Sequence, residues 1–210
     1  PSLIMPTKIV LFGGKIMGKW AALCLQIFLQ TKIIVKGKDN IIKNEKFFIA
    51  CSHQSMFETF YLQTIFNSPI FILKHELIKI PIFGWYLKKI GSVSINRNKI
   101  SKDNLGLIDK IKNSVKISER PLIIFPQGTR VLPGEKVPFK KGVGRIYDEL
   151  KINCQPVAIN SGNVWPKNGS LIKNKTITIS ILKGIKPGMR SAEFTSYIED
   201  IIYNELNSMN

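Results

Sequence analysis

One histidine and one glutamate stand five residues apart in the stretch Cys51–Thr59 of this 210-residue chain. On a continuous α-helix, five residues advance about 500°, so the side chains of His53 and Glu58 would diverge by roughly 140° and could not pair. A bend would bring them together if His53 lies in the turn after a strand and Glu58 lies in the first turn of the next helix. The two residues would then form a base and the carboxylate that orients it, an arrangement suited to proton transfer.

The same stretch has a purely structural interpretation. Ser52 and Ser55 are suitable helix N-caps, and Glu58 follows Ser55 at the spacing of a capping box. Under that interpretation Glu58 caps the helix and His53 is a loop residue. The stretch alone leaves both interpretations open.

A second candidate site follows another apolar run, Pro121–Phe125, and has the sequence Phe125-Pro126-Gln127-Gly128-Thr129-Arg130. Pro126 stiffens the chain and Gly128 permits backbone conformations or close approaches that other residues resist. Arg130 offers a planar, permanently charged group that suits phosphate. In isolation, the hexapeptide is equally compatible with a tight turn that carries a surface arginine.

The chain is strongly basic, with 31 lysines and arginines against 14 acidic residues and a formal net charge of +17. Such an excess favours an anionic partner, which includes phospholipid head groups, nucleic acid and phosphorylated substrates. The three cysteines, Cys24, Cys51 and Cys154, form no C-x-x-C pair and no even disulfide set. They therefore favour a reducing compartment and give no indication of a zinc or other metal site.

The most apolar segment, residues 3–31, is predicted to be an amphipathic helix. Its longest uncharged run, Trp20–Thr31, is too short to span a bilayer. At about 100° per residue, five polar residues fall on one stripe; they are Lys8, Lys15, Lys19, Gln26 and Gln30. The wide apolar remainder favours a helix in a membrane surface, and a helix docked on the core is the alternative. Glycines at 13, 14 and 18 are points where the helix could divide in two.

Apolar strand-like runs alternate with helical patterns through the rest of the chain. Strands are expected near residues 32–36, 46–50, 69–73, 91–95, 121–125, 155–160 and 176–182. Helices are expected near residues 56–66, 101–117, 143–150 and 192–206, with two short helical pieces within 74–85. This alternation predicts a single-domain αβ sandwich with a largely parallel or mixed central sheet flanked by helices. Residues 1–36 are assigned to the membrane-associating segment and residues 37–210 to the domain.

Taken together, four ordered blocks resemble the glycerolipid acyltransferase family, and most closely its bacterial 1-acylglycerol-3-phosphate acyltransferases. The span from His53 to Glu58 resembles the family's histidine–acid motif, and Gly91–Arg97 is similar to its second block. Phe125–Arg130 resembles its F-P-E-G-T-R block, and Gln155–Ala158 resembles its fourth. Two departures stand out, since Glu58 occupies the usual aspartate position and Gln127 the usual glutamate position.

The resemblance implies transfer of a fatty acyl group from a coenzyme A or acyl-carrier-protein thioester to the 2-hydroxyl of lysophosphatidic acid. His53 would be the general base and Glu58 its orienting acid, with no acyl-enzyme, metal or resident cofactor. The substrate-binding positions implied are Arg97, Gln127, Gly128, Thr129, Arg130 and Lys140. The expected partner is a phospholipid bilayer, and the expected location is the cytoplasmic face of a bacterial inner membrane.

Three other functions are compatible with parts of the sequence. An acyltransferase for a different lyso-lipid acceptor would share all four blocks. A basic nucleic-acid-binding domain fits the charge, but the chain lacks a recognised recognition motif, and nucleic acid is therefore not expected as a partner. A cysteine–histidine thioesterase is suggested by Cys51 and His53, although a nucleophile and base two residues apart on one strand rarely reach each other.

Overall fold

The computed structural model of the chain describes residues 3–95 and 105–209. Arg97, one of the predicted phosphate-binding residues, lies outside these ranges. From β2 to β6, one or two α-helices separate each strand from the next. The helices are α1 (Thr7–Leu29), α2 (Phe57–Ile65), α3 (His75–Ile78), α4 (Phe83–Lys89), α5 (Leu105–Ile117), α6 (Gly142–Leu150) and α7 (Ser191–Ser208). The strands are β1 (Lys32–Lys36), β2 (Phe47–Cys51), β3 (Ile70–Lys74), β4 (Val93–Ile95), β5 (Leu122–Ile124), β6 (Asn153–Ile159) and β7 (Thr176–Ile181).

The strands form one mixed sheet in the order β1-β7-β6-β2-β5-β3-β4. From β6 to β4 along this order, neighbouring strands are parallel. β7 is antiparallel to β6 and parallel to β1. The predicted αβ sandwich with a largely parallel or mixed sheet is thereby confirmed.

Helices cover both faces of the sheet, which explains why its central strands are apolar on both sides. In β2, Phe48 and Ala50 belong to the core on the α5–α7 side. Ile49 and Cys51 belong to the core on the α1–α2 side. The alternation follows from the two-residue period of a strand. Both faces of β2 are therefore buried up to the turn that carries His53.

The N-terminal segment forms one continuous helix, so the predicted weak points at its glycines do not divide it. Two of these glycines instead face α2: a Cβ at Gly18 would lie 2.3 Å from the carbonyl oxygen of Phe60, and one at Gly14 would lie 2.6 Å from Gln63 Oε1. A helix backbone can approach this closely only where side chains are absent. The buried stripe of α1 comprises Val10, Gly14, Gly18, Ala22, Leu25 and Leu29.

The opposite surface of α1 is apolar and exposed. Its exposed large side chains are Ile9, Phe12, Ile16, Met17, Trp20, Leu23, Ile27 and Phe28. α1 thus docks on the core through one face while a second apolar face has no cover from the described part of the chain. By length and mean hydropathy, α1 also qualifies as a helix long and apolar enough to cross a membrane, a test that core helices and signal sequences also pass.

The first strand joins this N-terminal segment to the sheet. β1 pairs with β7 from Lys32 to Lys36, opposite Thr176 to Ser180. Residues 32–36, which the sequence pattern grouped with the membrane-associating segment, therefore belong to the edge of the central sheet.

Candidate active site

The two motifs meet at the carboxyl edge of neighbouring parallel strands. β2 ends two residues before His53, and β5 ends just before Phe125. The backbone N–H of Val131 donates to the carbonyl oxygen of His53 over 2.8 Å. The imidazole ring of His53 stacks on Phe125, with ring centroids 4.1 Å apart. In an α/β sheet, this edge is the usual location of ligand sites.

His53 precedes α2 and Glu58 lies in its first turn, as the pairing hypothesis required. Nδ1 of His53 is 3.7 Å from Oε2 of Glu58, and the glutamate side chain is fully buried. This separation is an electrostatic contact slightly longer than a hydrogen bond. Nδ1 is itself buried and has no hydrogen-bond partner among the described residues. With Glu58 beside Nδ1, Nε2 is the ring nitrogen left for an external group.

The carboxylate of Glu58 is held by local and distant donors. Oε1 accepts hydrogen bonds from the backbone N–H groups of Gln54 and Ser55, each over 3.0 Å, and from Ser161 Oγ over 2.5 Å. Oε2 accepts from the Ser55 N–H over 3.1 Å, which leaves it facing His53. These donors fix the position of the buried carboxylate.

The capping and pairing interpretations therefore describe the same side chain. Glu58 accepts from the Ser55 N–H, while Ser55 Oγ accepts from the Phe57 N–H over 2.9 Å. The first contact is that of a capping box, whereas the second reaches the amide one residue short of Glu58, and α2 itself begins after Met56. The cap fixes Glu58 in the orientation that brings its second oxygen towards His53.

Gln127 is buried and hydrogen-bonded within the protein at both ends of its amide. Oε1 accepts from the backbone N–H of His53 over 2.6 Å. Nε2 donates to the hydroxyl of Tyr203 over 3.2 Å. Gln127 is 1% exposed, so it contacts the backbone of His53 from inside the protein.

The last three residues of the second motif, Gly128 to Arg130, are more accessible than Gln127. Gly128 has a φ of +72°, in the left-handed region that favours glycine. Its N–H donates to the carbonyl of Phe125 over 3.0 Å, which closes the turn. Thr129 is exposed and Arg130 is partly exposed. The exposed Lys140 is tied to the same turn because its N–H donates to the Pro126 carbonyl over 2.9 Å.

Cys51 lies in the core, where its environment does not suit a nucleophile. Its side chain is fully buried and its Sγ contacts the carbonyl oxygen of Ser52 at 3.1 Å. Burial, followed by the nearby charge of Glu58, raises the pKa of this thiol well above its ordinary value. A thiolate is the reactive form of cysteine, and both effects disfavour it. The thioesterase interpretation therefore has no support from this residue.

Two residues that hydrogen-bond to the site were not predicted from the sequence. Ser161, which donates to Glu58, follows β6, and Tyr203, which contacts Gln127, lies in α7. They are 103 and 76 residues from their partners. Ser161 stands in Asn160-Ser161-Gly162, a stretch that also resembles the bacterial branch of the family, but the resemblance gave it no role. Tyr203 gave no signal beyond a helical pattern.

Known proteins resemble this chain in sequence and in fold. The acyltransferase family model matches residues 32–160. The 1-acyl-sn-glycerol-3-phosphate acyltransferase of Pseudomonas aeruginosa is 33% identical over 137 residues, which cover 64% of this chain and 52% of that protein. The enzyme of the same name from Helicobacter pylori is 31% identical over 172 residues, covering 76% and 71% of the two chains.

The fold has a solved counterpart. The crystal structure of the 1-acyl-sn-glycerophosphate (LPA) acyltransferase PlsC from Thermotoga maritima matches with a TM-score of 0.78 at 22% sequence identity. The match covers 100% of this chain and 86% of that one. Against the curated relatives from Pseudomonas aeruginosa and Saccharomyces cerevisiae, this chain spans 52% and 60% of their length. The matched residues include both motifs that meet at the sheet edge, and the chain belongs to the acyltransferase family.

Proposed function

We propose that the protein transfers a fatty acyl group from a coenzyme A or acyl-carrier-protein thioester to the 2-hydroxyl of 1-acylglycerol-3-phosphate, which yields phosphatidic acid. The observation that carries this proposal is the convergence of His53, the buried Glu58 and the turn ending at Arg130 on one sheet edge. Several relatives bear the name of this activity, which supports the choice of acceptor.

In the proposed reaction, Nε2 of His53 accepts the hydroxyl proton as the acceptor oxygen attacks the thioester carbonyl. The C–O bond forms, a tetrahedral oxyanion develops, and the C–S bond then breaks. The thiolate leaves and takes the proton back from the imidazolium, so no acyl-enzyme forms. Positioned general-base catalysis of this kind typically contributes about 10²–10⁴-fold to the rate.

Glu58 has a defined part in this step. Its Oε2 lies 3.7 Å from Nδ1, and the pair would tighten as the imidazole acquires positive charge. Catalytic hydrogen bonds are often long before substrate binds. The buried carboxylate also fixes the tautomer in which Nδ1 carries the hydrogen. The extra methylene of Glu58, relative to the family's aspartate, is accommodated by the Ser161 and backbone donors.

The acceptor phosphate is assigned to Arg130, with Arg97 and Lys140 as further cationic contacts. Arg130 and Lys140 are both accessible and belong to segments joined by the Lys140–Pro126 hydrogen bond. Because the Gly128 N–H closes the turn onto the Phe125 carbonyl, the developing oxyanion is assigned to the neighbouring Thr129, and Gly128 shapes the turn that presents it. We assign no metal or resident cofactor, since the thioester is a co-substrate and the chemistry needs only proton transfer and charge stabilisation.

We further propose that the protein works at the surface of an anionic membrane, on the cytoplasmic side where its thioester donors are found. The exposed apolar face of α1 supports this, as do exposed lysines on the same helix, Lys8 and Lys19. The start of α4 and the residue before it add Phe83, Trp85 and Ile82, which are 46%, 56% and 68% exposed. α4 packs on the N-terminal half of α1, so the two apolar surfaces belong to neighbouring elements.

An acceptor panel tests the proposed reaction. Purified protein would be offered lysophosphatidic acid, lysophosphatidylethanolamine, lysophosphatidylcholine and glycerol-3-phosphate, each with acyl-coenzyme A and acyl-carrier-protein donors. We expect product with lysophosphatidic acid, measured by mass spectrometry. Product with another lyso-lipid alone would keep the chemistry and replace the acceptor, and no product with any pair would overturn the proposal.

Variants at the site test the roles. We expect His53→Ala to abolish transfer and Cys51→Ala to retain most of it, because only the imidazole handles the proton. A trapped acyl-enzyme that disappears in Cys51→Ala would contradict the direct mechanism.

Arg130→Ala should raise the KM for the acceptor far more than the KM for the donor, and equal effects would remove its assignment to the phosphate.

A further inference from the structure

Gln127 connects the catalytic histidine to the last helix of the chain. Its Oε1 accepts from the His53 N–H over 2.6 Å and its Nε2 donates to Tyr203 over 3.2 Å. The Val131 N–H holds the carbonyl of the same histidine over 2.8 Å. The backbone of His53 is therefore fixed on both sides by the segment that carries the second motif.

Tyr203 is buried in α7, and its hydroxyl has a full set of partners. It donates its single proton to the carbonyl oxygen of Val137 over 2.8 Å. It accepts from the Val137 N–H over 2.9 Å and from Gln127 Nε2. A hydroxyl has one donor and two acceptor lone pairs, so all three are used.

This arrangement accounts for an amide at position 127. Gln127 needs one acceptor oxygen for the His53 N–H and one donor group for the Tyr203 hydroxyl, and an amide supplies both. A carboxylate would instead present an acceptor to a hydroxyl whose only proton is already bonded to Val137. The glutamine that departs from the family pattern is thus matched by a tyrosine 76 residues away.

We propose that Tyr203 and Gln127 form a positioning pair that holds the His53 backbone in register for proton transfer, an inference that rests on the proposed acyl transfer. Neither residue touches the reacting atoms in this scheme. Tyr203 acts through Gln127, and Gln127 acts through the His53 N–H. Small displacements of a catalytic base can cost about 10²-fold in rate, so the geometry of this support affects kcat rather than substrate affinity.

Tyr147 provides a matched control. It is also buried, its hydroxyl donates to the Lys186 carbonyl over 2.6 Å, and it accepts from the Met189 N–H over 3.2 Å. Its hydroxyl makes no contact with the histidine motif in the described part of the chain. Tyr203→Phe and Tyr147→Phe therefore remove comparable buried hydroxyl groups and differ in the connection to His53.

The first experiment compares the two variants well below their unfolding temperatures. We expect similar losses of thermal stability, but about a tenfold fall in kcat with little change in KM for Tyr203→Phe, and near wild-type kcat for Tyr147→Phe. Equal kcat values for the two variants would overturn the proposal. If Tyr203→Phe fails to fold, Gln127→Met takes its place. Its kcat is then compared with that of folded, active Tyr147→Phe.

A double-mutant cycle tests whether the two residues act as one unit. Gln127→Met keeps a long side chain but removes both hydrogen bonds. If the effect of Tyr203 passes through Gln127, adding Tyr203→Phe to Gln127→Met should lower kcat little further. Fully additive losses would show separate roles and contradict the positioning pair.

A readout that does not depend on activity separates this inference from the proposed reaction. The amide NMR signal of His53 reports its hydrogen bond to Gln127 directly. We expect this signal to shift in Tyr203→Phe and to remain in place in Tyr147→Phe. If the wild-type protein transfers no acyl group, the proposed function fails while this shift still tests the link; an unchanged signal in Tyr203→Phe removes the link itself.

Discussion

The first and last helices of the chain use apolar residues in opposite ways. In α7 the large side chains face inward, with Phe194, Ile198, Ile202, Tyr203 and Leu206 all buried. In α1 the inward face includes Gly14, Gly18 and Ala22, while aromatic and branched side chains point outward. Both helices are amphipathic, but only α7 has the pattern of an ordinary core helix.

The difference shows that apolar content does not indicate where a helix is buried. Small inward residues let α1 approach α2 at backbone distance, as the position of Gly18 against Phe60 requires. Its large side chains then remain on the outer surface, where we propose that they meet lipid. α7 fills the core instead, and its Tyr203 contacts Gln127, which accepts a hydrogen bond from the backbone N–H of His53. In the proposed function, α1 contacts the membrane and α7 supports the histidine that accepts the proton.

The largest expected effect concerns core packing under α7. Phe194 is fully buried and stacks on Tyr147 with ring centroids 3.7 Å apart, so Phe194→Ala should lower the free energy of unfolding by about 3–5 kcal/mol. Phe12 on α1 is 63% exposed, and Phe12→Ala should change it by less than about 0.5 kcal/mol. Denaturant unfolding measures both. Equal losses would mean that the outward face of α1 is covered within the protein.

A smaller effect is expected where α1 meets α2. A Cβ at Gly18 would lie 2.3 Å from the backbone oxygen of Phe60, so Gly18→Ala should destabilise the protein by about 1–3 kcal/mol. A Cβ at Gly13 would meet no other part of the described structure within 4 Å, and Gly13→Ala should stabilise the helix by up to about 1 kcal/mol. Thermal unfolding of the two variants measures both stability changes. Stabilisation by both would show that α1 does not pack closely on α2.

Substitutions on the exposed surfaces of α1 and α7 should differ in their effect on membrane binding. Trp20 on α1 is 61% exposed and Tyr197 on α7 is 45% exposed. If α1 inserts its apolar face, Trp20→Ser should weaken binding to phosphatidylglycerol-containing vesicles about tenfold, and Tyr197→Ser should leave it unchanged. Vesicle co-sedimentation measures the binding. Parallel losses in both variants, or none in Trp20→Ser, would remove α1 as the lipid contact.

The smallest effect is expected from thiol chemistry. Cys24 on α1 is exposed, whereas Cys154 in β6 is fully buried. Burial raises the pKa of the Cys154 thiol well above its ordinary value, so at mildly alkaline pH its reactive thiolate is even scarcer than usual. Iodoacetamide should modify Cys24 and spare Cys154 in the native protein, with little change in stability. Peptide mapping by mass spectrometry would reveal any early reaction at Cys154, which would mean that the core opens beneath α7.

Much of the site's local geometry followed from the sequence. His53 had to precede α2, because a continuous helix would separate it from Glu58, and the structure confirms this order. The spacing of Ser55 and Glu58 indicated the hydrogen bond that is observed from the Ser55 N–H to the Glu58 carboxylate, although α2 begins one residue later, after Met56. The alternation of apolar runs predicted the αβ sandwich. These features depend on neighbours a few residues apart, whose relative positions are set by backbone geometry alone.

Contacts between distant segments were not available from the sequence. The antiparallel placement of β7, the hydrogen bond from Ser161 to Glu58 and the link from Tyr203 to Gln127 all join residues that only the packed sheet and helices bring together. The same holds for α1, where glycines that weaken an isolated helix instead permit close contact with α2. The sequence alone therefore determined the candidate site residues and their local order. The tertiary structure decided which distant residues support them, because burial and hydrogen bonding across the core depend on the whole fold.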